Sequence, residues 1–206
     1  MAEIKAVIFD IGGVLSHSPV AAIRAWAEGC GLDYAVLGPL IANPEGAYSR
    51  LEQSALTPEE FAREFEAECA AQGISADPRA FLASFAGLGW REEMHAVVRH
   101  LHGRYKLGCI TNNIVRDDGT GTRGEIFQLF DVIVESARVG VRKPDPRIYV
   151  MTCEQLGVTP EQAVFLDDFG VNLKGARALG MTTIKVDETT RAIDELEAVL
   201  GIPLPR

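Results

Sequence analysis

The stretch that most constrains this chain is residues 5–15, KAVIFDIGGVL. Ala6, Val7, Ile8 and Phe9 are apolar without alternation, which suits a strand covered on both faces, as in a parallel sheet. Gly12 and Gly13 then break the run just after it has delivered one carboxylate, Asp10. An ionised Asp at the end of a buried strand is costly unless a cation or hydrogen-bond donors receive it. Asp10 therefore either does chemistry or accepts backbone N–H groups at a strand-to-loop corner, a common task for Asp. The stretch alone leaves both readings open.

The rest of the chain supplies the architecture. Residues 16–90 carry helix signals and no convincing strand. Val20, Ile23, Ala27 and Cys30 fall on one helical face, which Gly31 terminates. Residues 45–52 fit a short helix, and Asp77-Pro78 opens another that carries Phe81 and Phe85. The strongest start is Thr57-Pro58-Glu59-Glu60: an N-cap, a proline at the first helical position and two acids in the first turn, followed by the stripe Phe61, Phe65 and Cys69. From Glu92 a helix through Met94, Val97, Val98 and Leu101 leads into strand-like runs at 107–110, 131–134, 164–166 and 182–186, with helices at 148–156, 172–179 and 192–200.

Counting the opening run, five short strands alternate with helices. That order predicts an α/β fold, a Rossmann-like open parallel sheet of five strands with helices on both faces. Residues 1–15 and 91–206 form this core, and residues 16–90 form an all-helical domain inserted after the first strand. Such an insertion stands over the carboxyl edge of the strands, where open α/β sheets bind ligands.

Three polar sets end strands: Asp10, then Thr111 with Asn112, then Asp167 with Asp168. Carboxylates at neighbouring strand ends repel one another, and an oxygen-loving cation such as Mg²⁺ resolves the conflict. Lys143 lies in VRKPDP, where flanking prolines stiffen the loop that holds its ammonium. A nucleophile, a hydroxyl and amide donor, a cation and a metal site make up the kit for phosphoryl transfer. Each member also has an ordinary reading: Thr111 or the Asp167-Asp168 pair as helix caps, Lys143 as a surface lysine. Their common position at strand ends favours the joint reading. Residues 116–124, RDDGTGTRG, predict a mobile surface loop at the rim of the site, and they lack the spacing of a phosphate-cradling loop.

In order, FDIGGVL, ITNN, RKPDP and FLDDFGVN resemble the four motifs of the haloacid dehalogenase superfamily of phosphohydrolases, and the insertion point matches that family's helical cap of the first type. The chain is similar in particular to the phosphatase domains fused to soluble epoxide hydrolase and to certain acyl-CoA dehydrogenases. The resemblance implies that Asp10 forms an aspartyl-phosphate, that Thr111 and Asn112 hydrogen-bond the phosphoryl oxygens, and that Lys143 neutralises charge on both. It further implies Mg²⁺ held by Asp10, Asp168 and the carbonyl of Gly12, with Asp167 binding it or ordering its water.

One departure stands out. Where family phosphatases usually carry a second Asp as general acid and base, this chain has Gly12. General acid–base help is worth roughly 10²–10⁴ in rate, so slow hydrolysis of a small phosphorylated metabolite is expected, fastest on phosphoryl groups that leave easily. His17, just past the motif, is a candidate substitute acid. Two alternatives compete: a catalytically weak phosphometabolite sensor, which Gly12 favours, and a metal-independent haloacid dehalogenase, which the acidic pair disfavours.

The balance of 20 basic against 29 acidic side chains gives a formal charge of −9, which argues against non-specific binding to nucleic acid or anionic membrane. The four cysteines are scattered and read as reduced core residues. No signal-like leader and no run of membrane-spanning length is evident, which makes the cytoplasm the expected location. In the insertion, Arg24, Trp26, Tyr48 and Arg50 are candidates to face the pocket, with core the favoured reading for Trp26.

Overall fold

The computed structural model describes residues 2–114 and 124–206, so the loop expected at 116–124 falls outside the described residues except for Gly124. Five parallel strands, β1 (Ala6–Phe9), β2 (Lys106–Thr111), β3 (Val132–Glu135), β4 (Ala163–Asp167) and β5 (Thr182–Lys185), form one sheet in the order β3-β2-β1-β4-β5. The first strand is thus central. Its unbroken apolar run is used on both faces. Val7 and Phe9 join Leu107, Cys109, Val164 and Leu166 in a core with residues of two later helices, 92–101 and 189–200. Ala6 and Ile8 join Ile110 and Phe165 against helices 146–156 and 170–178.

Between β1 and β2 the chain forms α1 (Pro19–Gly29), α2 (Tyr34–Ala42), α3 (Ala47–Leu51), α4 (Pro58–Ala71), α5 (Pro78–Ser84) and α6 (Glu92–Leu101). Of these, α1 to α5 enclose a hydrophobic cluster of their own, built on Ile23, Leu37, Leu51, Phe61, Phe65 and Phe81. Thr57 starts α4 with a reciprocal capping box to Glu60. The second helix, α2, is absent from the sequence reading. YAVLGPLIA is apolar nearly all round and contains Gly38 and Pro39, so neither periodicity nor propensity marks it; an Asp33 cap and burial of Leu37 carry it instead. Trp26 packs on Phe81, Arg24 lies over the Tyr34 ring and Arg50 pairs with Glu64, all within the insertion. Of the cysteines, Cys69, Cys109 and Cys153 are buried, but Cys30 is exposed at the end of α1, a correction to its reading as core.

The insertion leaves and rejoins the core at one place. Ser16 and Trp90 form an antiparallel bridge, the His17 N–H donates to the Gly89 carbonyl at 2.8 Å, and the Arg91 N–H donates to the Leu15 carbonyl at 2.9 Å. After α6 and β2, α7 (Ser136–Val139), α8 (Pro146–Leu156), α9 (Gly170–Ala178) and α10 (Thr189–Leu200) complete the layers. No helix among the described residues is long and apolar enough to cross a membrane.

The turn after β1 depends on Gly13, whose φ is +79° and whose missing side chain leaves room for the Asp168 carboxylate beyond β4. Gly13→Ala is expected to cost roughly 1–3 kcal/mol of unfolding free energy, read from the urea midpoint. Gly31 shares the left-handed backbone (φ +70°) but has open space around it, so Gly31→Ala should cost less. Equal losses at the two positions would show that the backbone angle alone, and not the approach of Asp168, requires glycine at position 13.

Candidate functional site

The carboxyl edge of the sheet collects the site. Asp10 follows β1, and its N–H continues the ladder by donating to the Leu166 carbonyl at 2.9 Å. Phe9 is opposite Cys109, which puts Thr111, the last residue of β2, one step beyond Asp10 on the adjacent strand. Asp167 ends β4 on the other side. The Lys143 ammonium reaches into this edge and is 1% exposed. It bonds Asp10 Oδ1 at 2.8 Å, Asp167 Oδ2 at 2.8 Å and the Ile110 carbonyl at 3.0 Å. Asp10 Oδ1 also accepts the Ile11 N–H at 2.7 Å. The cap-like reading of Asp10 and its place among charged groups therefore coexist, and both donors meet the same oxygen.

The two acids of the pair differ in their partners. Asp167 is saturated: the Phe169 N–H at 2.7 Å and Asn172 Nδ2 at 3.0 Å reach Oδ1, while Asn172 at 3.1 Å and Lys143 reach Oδ2. Asp168 accepts the Ser18 hydroxyl at 3.3 Å on Oδ2, and its Oδ1 is buried with no hydrogen-bond partner among the described residues. Each of Asp10, Asp167 and Asp168 offers an oxygen to a cluster no more than 4.8 Å across. Three carboxylates thus face one ammonium. Burial pushes the Asp10 carboxyl up to about 8, with Lys143 opposing and Asp167 and Asp168 adding to the rise. Asp168 is pushed up to about 6 by burial and by Asp167. Burial also works against the Lys143 ammonium, but Asp10 and Asp167 outweigh it and hold the lysine above its ordinary range. The unmet negative charge and the orphaned oxygen of Asp168 fit a hard, oxygen-seeking divalent ion such as Mg²⁺. By hydrogen bonding, Asp168 has a free ligand atom and Asp167 orients the lysine.

Three expected participants have distinct surroundings in the structure. Asn112 turns its amide onto the main chain of Lys143, donating to its carbonyl at 3.1 Å and accepting its N–H at 2.8 Å. Its visible work is to clamp the lysine loop, not to face a phosphoryl group. Thr111 is buried and its hydroxyl makes only a long 3.5 Å contact with the Asn112 carbonyl, so it remains available as a donor. His17 is exposed at the base of the insertion with its ring against Gly89, and among the described residues no hydrogen bond joins that ring to the three carboxylates.

At Gly12 the backbone angles (φ −66°, ψ 122°) suit any residue, but a Cβ there would lie 3.2 and 3.3 Å from the ring carbons of Pro19. A side chain at position 12 would press on the first residue of α1, which would have to give by a few tenths of an ångström.

Sequence reasoning missed Ser18, Asn172, Glu52 and Arg142. The last two form a half-hidden ion pair of 3.0 Å between the insertion and the residue preceding Lys143. Burial pushes the Glu52 carboxyl up to about 7 against the opposing charges of Arg142 and Lys143. Tyr48, a pocket candidate, packs on Phe81 and lies beside Glu52; burial and that carboxylate hold its phenol well above the ordinary range. The one available sequence signal was Arg142 itself, a cation bonded directly to the loop lysine.

The family model for haloacid dehalogenase-like hydrolase matches residues 4–180. Acyl-CoA dehydrogenase family member 10 of Mus musculus is 33% identical over 97% of this chain and 19% of its own length. Bifunctional epoxide hydrolase 2 of Rattus norvegicus is 31% identical over 98% of this chain and 40% of its own length. The chain therefore spans less than half of either protein. A sesquiterpene phosphatase of Aspergillus oryzae is 26% identical over 96% of this chain and 97% of that protein. In fold, the chain resembles a HAD family enzyme of Bacteroides thetaiotaomicron solved in complex with magnesium and inorganic phosphate (TM-score 0.64, 21% identity, 90% of this chain and 96% of that one). Matched over most of its length, this chain belongs to the haloacid dehalogenase-like hydrolases.

Proposed function

We propose that this chain hydrolyses a small phosphate monoester through an aspartyl-phosphate on Asp10, with Mg²⁺ held by Asp10, Asp168 and the Gly12 carbonyl. The observation that carries this reading is the buried Lys143 bridging Asp10 and Asp167 beside the unpartnered oxygen of Asp168. Both donors to Asp10 fall on Oδ1, so the carboxylate is oriented with Oδ2 available as nucleophile. Oδ2 attacks phosphorus, the bond to the leaving oxygen breaks with its electron pair, and Lys143 and Thr111 face the charge that accumulates on the phosphoryl oxygens. Water then attacks the phosphorus of the aspartyl-phosphate, and the bond from phosphorus to Oδ2 breaks with its electron pair left on Asp10. Inorganic phosphate departs with the water's oxygen while the water's proton passes to solvent. A bound Mg²⁺ would add charge neutralisation at the same oxygens. The phosphatase named among the relatives, and the magnesium and phosphate of the structural neighbour, support the class of chemistry.

With no acid at Gly12, departure of an alkoxide goes unassisted. This favours substrates whose phosphoryl group leaves easily, and it is the observation behind a second reading, a phosphometabolite-binding protein of little turnover. p-Nitrophenyl phosphate separates them. Mg²⁺-dependent turnover lost in Asp10→Asn by 10³-fold or more, on the order of a nucleophile's contribution, is expected; a phosphorylated Asp10 that accumulates without turnover would leave the sensor standing. Metal-independent release of halide from a haloacid would overturn both.

The close approach of Pro19 to position 12 yields a second expectation. Gly12→Asp alone should gain little on alkyl phosphates, because its Cβ would press on the Pro19 ring and displace the new side chain. Gly12→Asp with Pro19→Ala should gain at least about tenfold, within the range of general acid catalysis. A full gain from the single substitution would show that Pro19 yields freely.

Protons and metal compete for the same oxygens. Because the folded-state values of Asp10 and Asp168 are raised, the contribution of these two acids to the stability of the metal-free protein falls as pH climbs from about 4, where they ionise when unfolded, toward the value near 8 reached by Asp10. The rise in Tm on adding MgCl2 should accordingly be larger at pH 8 than at pH 5.5, and Asp168→Asn should abolish most of the difference. A Mg²⁺ response independent of pH would exclude these carboxylates as its source.

A further inference from the structure

We propose that Arg142 is a positioning residue, tying the seating of the helical insertion to the main-chain placement of Lys143. The inference rests on the reading of Lys143 as partner to the nucleophile, and extends it to a residue that touches neither Asp10 nor its carboxylate neighbours. Arg142 reaches out of the core and is held by two groups of the insertion: the Ser49 hydroxyl and, at 3.0 Å, the Glu52 carboxylate. Ser49 is itself fixed, since its hydroxyl donates to the Asn43 carbonyl at 2.6 Å. Two further bonds stitch the same patch. The Ser136 hydroxyl donates to the Glu52 carbonyl at 2.6 Å, and the Ser54 hydroxyl donates to the Ala137 carbonyl at 2.7 Å. Ser54 does so from a left-handed backbone (φ +53°), an unusual conformation for a side-chain-bearing residue and one held here by contact across the boundary.

On the core side the next residue is Lys143, whose N–H and carbonyl are both clamped by Asn112 at the end of β2. Adjacent residues of one loop are therefore gripped from two directions: Lys143 by the sheet and Arg142 by the insertion. The grip is polar. The Arg142 side chain is 20% exposed, that of Glu52 is 6% exposed, and Arg142 Nε and Glu52 Oε2 are both buried without a hydrogen-bond partner among the described residues, so the two meet as charges and not through an aligned hydrogen bond. A buried, incompletely satisfied ion pair is a poor device for stability, since apolar replacements often serve as well or better. It suits a joint that parts and reseats, because both halves can be solvated when apart. With the insertion seated, Arg142 fixes the loop and the ammonium stays between Asp10 and Asp167. With it lifted, one of the two clamps is gone.

The test uses Glu52→Gln, which keeps the shape of the side chain and removes its charge, with Ser49→Ala as the milder second variant. Amide hydrogen exchange is followed across the whole chain without substrate. Exchange should quicken at residues 49–54 and also at 140–143, including the Lys143 N–H, while β1 and β4 stay protected. With p-nitrophenyl phosphate, kcat per folded enzyme should fall on the order of tenfold or more with KM within about twofold, as misplacement of a catalytic group predicts. Loosening of 49–54 with the Lys143 amide as protected as in the parent protein would overturn the proposal. So would lost protection with unchanged kcat. If the parent protein turns over no phosphate ester while exchange at Lys143 still responds to Glu52, the phosphatase reading fails and the mechanical tie stands.

Discussion

A lysine ammonium buried between Asp10 and Asp167 sets the terms for the rest of this molecule. An ammonium sealed from water is held only if carboxylates and a carbonyl surround it, and carboxylates gathered so closely need more positive charge than one lysine supplies. The features around it follow from that constraint. Asn172 and the Phe169 N–H saturate Asp167, Asn112 clamps the lysine main chain, and Gly13 gives up its side chain so that Asp168 can approach. The shell spends its donors on Asp167 and leaves Asp168 one oxygen short. An acidic pair that looks symmetrical in sequence thereby becomes two groups with different work.

Position 12 illustrates how an absence can be built into a fold. The missing carboxylate was visible in the sequence, but its structural counterpart was not: the ring of Pro19, which begins α1, lies close against the position a Cβ would take. The proline favours the helix start because it needs no N–H partner at that position, and in this chain it also walls the site. Gly12 and Pro19 belong together, one making room for the other.

Much of the architecture was legible because it rests on local signals. The unalternating run of β1, the capping box at Thr57 and the strand–helix alternation after Glu92 each state a preference that tertiary packing then uses. The strand-end residues were legible for the same reason, since a polar residue directly after a buried run has few places to go. What escaped the sequence depends on partners far along the chain. Ser18 meets Asp168 across 150 positions, and Arg142 meets Ser49 across 93. Asn112 stands next to Thr111 in the motif, yet its rotamer assigns it to the lysine loop, and no spacing rule contains a rotamer. The helix α2 escaped because it breaks the propensity rules with Gly38 and Pro39 and is sustained by the cluster it completes.

The paired ends of the insertion, joined at Ser16 and Trp90, also bear on how the chain finds its sheet. β1 must pair with β2, and Ala6 lies opposite Lys106, so the central ladder closes a loop of a hundred residues (106 − 6). Loop closure costs entropy that grows with the length of free chain, although slowly. A helical body with its own apolar centre, holding its two ends side by side, presents the sheet with something nearer to an ordinary strand–helix–strand crossover through α6 than to a long tether. Seen from β1, the path to β2 is then the short turn before the bridge and the fifteen residues after it, α6 among them, and the length of the insertion itself ceases to matter to the register of the strands.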